Sequence, residues 1–481
     1  MKLTVLRCVG LAILPALLNH ASICPAQESV KLRKESVQLR GGGSIDADLG
    51  RIEVPENRNK KESRKISLAF LRVPSPLKEP GPPVFMLAGG PGGSSIEMVK
   101  RHMAGSGGPI LEMLRGDLIG IDQRGVGQSR PNLDSTTLYG FPLEEPGNPV
   151  KMLKIIQSRC KTEAKRWQKS GVDLTGYTTV ESADDIDTVR RALGYDKIVL
   201  WGESYGSHLA LATIRHHEKF IDRAVLICPE GPDHTLKLPS DTQGALERLA
   251  ALVKADAAWG KRIPDLLSLI KTVLDRLDKA PVVVEVDGVR VGISKFDVQG
   301  LIADKLSRSR RGIDQIPATI QSMADGDFLA VAGEIMEFRR ADGIQSAMAM
   351  VMDSASGVSK TRAARIAKES KDCLLGDASN FPYPSVATAW GAPDLGEEFR
   401  RPLKSEVPVL MIVGDLDART TIGNARELMT HLPKSNLVVV SNVSHDVPWG
   451  VGEIRKHWHD FLSGQDVGEK KVTGPTISFA K

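Results

Sequence analysis

Aromatic side chains are scarce in this sequence: Phe, Tyr and Trp together make up 5%. No lysine- and arginine-rich block is interleaved with them, so the usual means of stacking on and neutralising a nucleic acid are missing. The 64 basic and 59 acidic residues leave +5 over 481 residues, too mild a bias to point to a polyanionic partner. No apolar run approaches the ~20 residues that a membrane-spanning helix needs. Cysteine is sparse, with five in all. There is no Cys-x-x-Cys or His-Glu-x-x-His spacing, and His216-His217-Glu218 is not spaced as a metal site. Neither a metal nor a cofactor is expected. Internal repeats and low-complexity tracts are absent too.

What remains is an ordinary soluble balance, 41% hydrophobic and 26% charged, in a chain longer than one usual domain. Residues 1–26 read as a secretory signal. Lys2 and Arg7 precede the apolar stretch Val9–Leu18, and Cys24-Pro25-Ala26 ends in a small residue suited to cleavage before Gln27. Ile23 is too bulky for a lipid-attachment motif at Cys24. Export reduces the net charge to +3 by removing Lys2 and Arg7. It leaves Cys160, Cys228 and Cys373. Cys228 ends the apolar run Ala224–Cys228 and reads as a buried small hydrophobe. A bridge formed in an oxidising compartment would therefore join Cys160 to Cys373.

Eight segments read as strands: 51–54, 66–73, 84–87, 118–122, 197–201, 223–227, 407–413 and 436–440. The short apolar ones, such as Val84-Phe85-Met86-Leu87, suit strands buried on both faces of a parallel sheet. Helical spacing appears at 183–193, 205–215 and 424–432. Such alternation predicts an α/β architecture. It breaks between about 235 and 395, where helical stretches at 242–254 and 264–277 accompany a hairpin turning at Asp287-Gly288. An insertion of this length is too long for a loop. The expected organisation is a core of 27–234 and 396–481, with a mainly helical cap at 235–395.

The chemistry concentrates at strand ends. Trp201-Gly202-Glu203-Ser204-Tyr205-Gly206 places Gly-x-Ser-x-Gly between an apolar strand and a helix, the setting of a nucleophile elbow. A serine hydroxyl needs a base, and the base an orienting acid. Val413-Gly414-Asp415-Leu416-Asp417 and Val443-Ser444-His445-Asp446 each follow a strand. His445 is the expected base and Asp417 the acid, with Asp415 as fallback; Asp446 adjoins His445 and would point away from it. The loop Gly89-Gly90-Pro91-Gly92-Gly93 lacks the Gly-Lys-Ser/Thr of a phosphate loop. It suits an oxyanion hole made by the Gly90 and Tyr205 amides.

Together with Asp122-Gln123-Arg124-Gly125-Val126-Gly127-Gln128-Ser129 and Tyr177-Thr178-Thr179, these pieces resemble the α/β-hydrolases, in particular their prolyl and tripeptidyl aminopeptidase branch. The resemblance implies a mostly parallel eight-stranded sheet with helices on both faces and a cap inserted before the acid-bearing strand. It implies that Asp122 and Arg124 are scaffold. The sequence departs from the branch at Ala88, where prolyl aminopeptidases resemble His-Gly-Gly-Pro-Gly, and at Asp417-Ala418-Arg419-Thr420-Thr421, where the tripeptidyl branch resembles Asp-Pro-x-Thr-Pro. It also carries Pro229-Glu230-Gly231-Pro232-Asp233-His234 after the strand beyond the elbow. An aminopeptidase must hold a free ammonium, and Glu230 and Asp233 are the candidate carboxylates. The expected reaction is acyl transfer on a short peptide, with a carboxylesterase as the alternative and a catalytically silent binding protein as a remote one.

Overall fold

Strands buried on both faces must lie inside a sheet covered by helices, and the computed structural model contains such a sheet. It describes residues 30–480 apart from 107, 137, 309, 341–344 and 448–451. The expected signal, 1–26, lies outside the described residues. The sheet's strands are β1 (Lys31–Gln38), β2 (Ser44–Pro55), β3 (Lys65–Val73), β4 (Val84–Leu87), β5 (Leu118–Asp122), β6 (Ile198–Glu203), β7 (Ile221–Ile227), β8 (Val409–Gly414), β9 (Ser435–Ser441) and β10 (Glu469–Thr473). Their spatial order is β1-β2-β3-β5-β4-β6-β7-β8-β9-β10. Pairing is antiparallel from β1 through β3 to β5 and parallel from β5 to β10.

The sheet has ten strands rather than eight. The two extra ones, β1 (KLRKESVQ) and β10 (EKKVT), lie at the edges and are largely exposed. Their charge suits an unpaired edge, and it removes the apolar pattern by which strands are recognised. Inside the sheet, Leu200 joins the core on one face, while Val199 and Trp201 join the core on the other. On the second face Trp201 meets Trp458 edge-on, with ring centroids 4.6 Å apart. The first face is covered by helices Thr179–Ala192, Tyr205–His217 and the 21-residue Pro149–Lys169, which the sequence reading does not anticipate.

Between β7 and β8 the chain forms helices and the expected hairpin, Val282–Val286 with Val289–Ile293. Asp287 and Gly288 have φ of 49° and 76°, as a two-residue type I′ turn requires. Packing within this insertion is divided. Residues from Ala245 to Met336 form a second core, joined by Leu375, Leu416, Ala418 and Phe479. Helix Ala347–Ser356 and the turn Ala387–Trp390 pack into the core of the sheet.

The expected Cys160–Cys373 bridge is not formed: Cys160, Cys228 and Cys373 are free thiols. Cys160 points into the main core, where burial pushes its thiol up to about 12. Cys373 sits half-buried beside Glu369 and Asp372.

Asp122 and Arg124 organise the loop after β5. Asp122 accepts from Ser94 Oγ at 2.6 Å and the Ile96 N–H at 3.1 Å through one oxygen, and from the Gln128 N–H at 2.8 Å through the other. Arg124 is fully buried. It forms a two-pronged pair with Asp185 at 2.8 and 2.7 Å and donates to the Glu56 and Gly176 carbonyls at 2.6 Å each. One guanidinium thus joins the end of β2, the loop before helix Thr179–Ala192, and that helix. Replacing it with Met leaves buried acceptors uncompensated. Arg124→Met is expected to lower stability to chemical denaturation by about 3 kcal/mol; a change below about 1 kcal/mol would remove Arg124 from this role.

Candidate active site

The turn after β6 sets the geometry. Ser204 has φ 54° and ψ −124°, a strained conformation for a residue with a side chain. Its N–H donates to the Ile227 carbonyl at 2.9 Å, which ties the turn to the end of β7. Three glycines make it sterically feasible. A Cβ on Gly206 would lie 1.9 Å from the Leu87 carbonyl oxygen, and one on Gly202 would lie 2.4 Å from that of Gly206. A Cβ on Gly89 would come within 2.9 Å of both Ser204 Cβ and the Glu203 carbonyl oxygen. The Gly-rich loop therefore passes directly over the serine. Helix Tyr205–His217 starts at the next residue and directs its free N–H groups toward the turn.

The other two expected residues follow β8 and β9. These strands run parallel to β6 and β7, so all four deliver their following loops to one edge of the sheet. Asp417 is fully buried. One of its oxygens accepts the N–H groups of Arg419 at 2.7 Å and Thr420 at 2.9 Å. The other accepts from His445 Nδ1 at 2.8 Å and Thr420 Oγ1 at 2.7 Å. Burial pushes the Asp417 carboxyl up, but His445 and these hydrogen bonds outweigh it and hold the group below its usual range. It is therefore a carboxylate at neutral pH. With Nδ1 held by Asp417, the proton-accepting nitrogen of a neutral His445 is Nε2. Asp415, the fallback acid, accepts the Asn442 N–H at 2.7 Å and holds the turn after β9. Asp446 is exposed.

Cys228 is a neighbour that sequence reasoning places only in the core. It follows β7 as Ser204 follows β6, has φ 54° and is buried. Its Sγ, His445 and Asp417 offer ligand atoms within 4.8 Å of one another. These residues do not suit a metal: both Asp417 oxygens are already engaged, and burial pushes the Cys228 thiol well up, so it keeps its proton.

Beside the Gly-rich loop lies a cavity of about 390 Å³, whose lining includes Gly90, Pro91, Lys237, Asp353, Tyr383 and Arg419. Gly90 has φ +124°, which strains any other residue. Glu230 and Asp233 do not line this cavity. Glu230 is buried in an ion pair with Lys237 at 2.9 Å. Burial pushes it up, yet Lys237 holds it below the usual range. Asp233 accepts the Ser359 N–H at 2.8 Å and its hydroxyl at 2.6 Å, one on each oxygen, and so caps helix Lys360–Glu369 from outside. The carboxylate that does face the cavity is Asp353, on helix Ala347–Ser356. Burial, reinforced by Glu230, pushes it up to about 7 against the pull of Lys237 and Arg419. Its signal in the sequence is a single acid closing the apolar run Ala347–Met352.

Residues 82–274 match the family described as "alpha/beta hydrolase fold". Serine protease Hip1 of Mycobacterium tuberculosis is 30% identical over 207 residues, covering 40% of this chain and 37% of that protein. The tripeptidyl aminopeptidase of Streptomyces coelicolor is 30% identical over 166 residues, covering 33% of this chain and 31% of the other. The chain thus matches about a third of the length of these curated relatives. A solved esterase from Exiguobacterium antarcticum overlays with TM-score 0.37 and 15% identity, covering 85% of this chain and 97% of its own. Among the described residues no helix is long and apolar enough to cross a membrane.

Proposed function

We propose, from the α/β-hydrolase fold that the chain has, that it is a serine hydrolase working through an acyl-enzyme. The observation that carries this is the 2.8 Å contact of Asp417 with His445 Nδ1, at the sheet edge where the strained elbow presents Ser204. Ser204 attacks the substrate carbonyl while His445 Nε2 takes its proton. Asp417 fixes the tautomer and stabilises the imidazolium. The Gly90 and Tyr205 N–H groups receive the oxyanion, each donor worth about 3 kcal/mol in the transition state. His445 returns the proton to the leaving group, and water completes the cycle by the same route. No cofactor enters.

The substrate reading is an aminopeptidase acting on short peptides. It is supported by the 30% identity to a serine protease and to a tripeptidyl aminopeptidase, and by Asp353, a cavity carboxylate without a hydrogen-bonded partner among the described residues. An ammonium would supply that partner. The insertion at 235–395 acts as the cap that closes the cavity. A carboxylesterase is the second reading, favoured by a cavity carboxyl that is half neutral near pH 7. Residues 1–26 direct export and are removed; mass spectrometry of protein from a secreting host is expected to find Gln27 first, and an intact Met1 would refute export.

A fluorophosphonate probe is expected to label the wild type and not Ser204→Ala. Asp417→Asn is expected to keep the fold and lose about 10⁴-fold in kcat. An unlabelled folded wild type ends the hydrolase reading.

Asp353 gives a pH signature. Its pKa of about 7 means that the charged form accumulates as pH rises through 7. KM for aminoacyl anilides is therefore expected to fall from pH 6 to 7.5, while KM for neutral esters stays flat. Asp353→Asn should abolish the slope; an unchanged slope in that variant assigns it to another group.

A further inference from the structure

Asp353 is one charge at the cavity wall, and a second, of opposite sign, likewise has no hydrogen-bonded side-chain partner among the described residues. Lys237 is neutralised by Glu230 at 2.9 Å and also donates to the His234 carbonyl at 2.7 Å. Arg419 differs. Its backbone N–H is spent on Asp417; the residue lines the cavity, and its guanidinium makes no hydrogen bond or ion pair to any described residue. It is half-buried. It and Asp353 affect one another through space without forming an ion pair. A partly desolvated guanidinium facing an enclosed space is stabilised by an anion, and its planar fork matches a carboxylate best. Gly90 belongs both to the cavity wall and to the Gly-rich loop over Ser204, so a group bound in the cavity adjoins the carbonyl that Ser204 would attack.

We infer that Arg419 determines specificity by pairing with a carboxylate on the acyl part of the substrate. The inference rests on the acyl-transfer reading and extends it to an acidic substrate class. On a peptide, Asp353 would hold the N-terminal ammonium and Arg419 an acidic side chain of the same residue. On an ester, Arg419 would hold the free end of a dicarboxylic half-ester.

Two matched substrate pairs test this: glutamyl against glutaminyl 4-nitroanilide, and 4-nitrophenyl hydrogen succinate against 4-nitrophenyl valerate. The readout is the ratio of kcat/KM, acidic over neutral. In the wild type it is expected to be about 10- to 100-fold, the worth of one charge-assisted hydrogen-bonded pair. In Arg419→Met it should fall to about one, and in Arg419→Lys to an intermediate value, because a point charge lacks the fork. A wild-type ratio near one overturns the inference. So does an Arg419→Met variant that slows both members equally, since the arginine would then act only through the Asp417 loop. If the anilides are not turned over while the esters are, the aminopeptidase reading fails and the ester pair still decides the role of Arg419. Turnover of neither pair removes the inference together with the reading beneath it.

Discussion

Everything at the site depends on one backbone constraint, the reversal of the chain at Ser204 between a buried strand and a buried helix. A non-glycine residue at φ 54° costs on the order of 1–3 kcal/mol. The cost is borne because both flanks are fixed. β6 is buried from Ile198 to Gly202, and helix Tyr205–His217 is buried over its first ten residues. The strained residue cannot relax without moving one of them. The same tightness dictates glycine at 89, 202 and 206, where carbonyl oxygens of neighbouring segments leave no room for a Cβ. The serine is thus held by sterics, before any hydrogen bond to it is counted.

Electrostatics then separates the carboxylates at this edge into distinct roles. Asp417 is buried but receives four hydrogen bonds, so it stays ionised and fixed. Glu230 is buried against a single ammonium, which makes an internal ion pair and keeps this carboxylate out of the cavity lining. Asp353 is half-buried with neither, and its carboxyl moves up to about 7. The three differ above all in their partners. That is why a sequence reading that chose Glu230 and Asp233 by position after a strand selected carboxylates already occupied by Lys237 and Ser359.

Legibility in the sequence followed the range of the interactions involved. The six strands from β4 to β9 were readable because burial on both faces forces a continuous apolar run, β2 and β3 showed a mixed or alternating pattern instead, and the elbow was readable because its glycines sit two residues either side of Ser204. Asp417 and His445 were readable by their place just past strands. β1 and β10 were not: edge strands are held by backbone pairing and carry charged side chains. Helix Pro149–Lys169 hid behind a mostly polar surface, although Asn148 and Pro149 mark its start. The free Cys160 and Cys373, and Asp353 at the cavity, depend on how the insertion folds back, and no local pattern records that.

That return of the chain sets where the cavity wall stands. The helix bearing Asp353 packs into the core of the sheet rather than into the separate core of the insertion's first half. Its last residue, Ser356, is hydrogen-bonded through its hydroxyl to Thr179 Oγ1 at 3.2 Å and His208 Nε2 at 3.2 Å. Thr179 Oγ1 in turn meets Tyr205 OH at 3.0 Å, and the His208 Nδ1 side is closed by the Gly231 carbonyl at 2.9 Å. Burial holds His208 low, so the ring is neutral and this network carries no charge into the core. Tyr205 and His208 stand on the elbow helix itself. The cavity wall and the nucleophile are therefore parts of one hydrogen-bonded body, and a fully satisfied buried network of this kind favours a single arrangement over its alternatives. The distance from Ser204 to Asp353 is then a property of the scaffold. Charge recognition of the kind proposed for Asp353 and Arg419 needs such a fixed wall, because the energy of an ion pair falls steeply with separation.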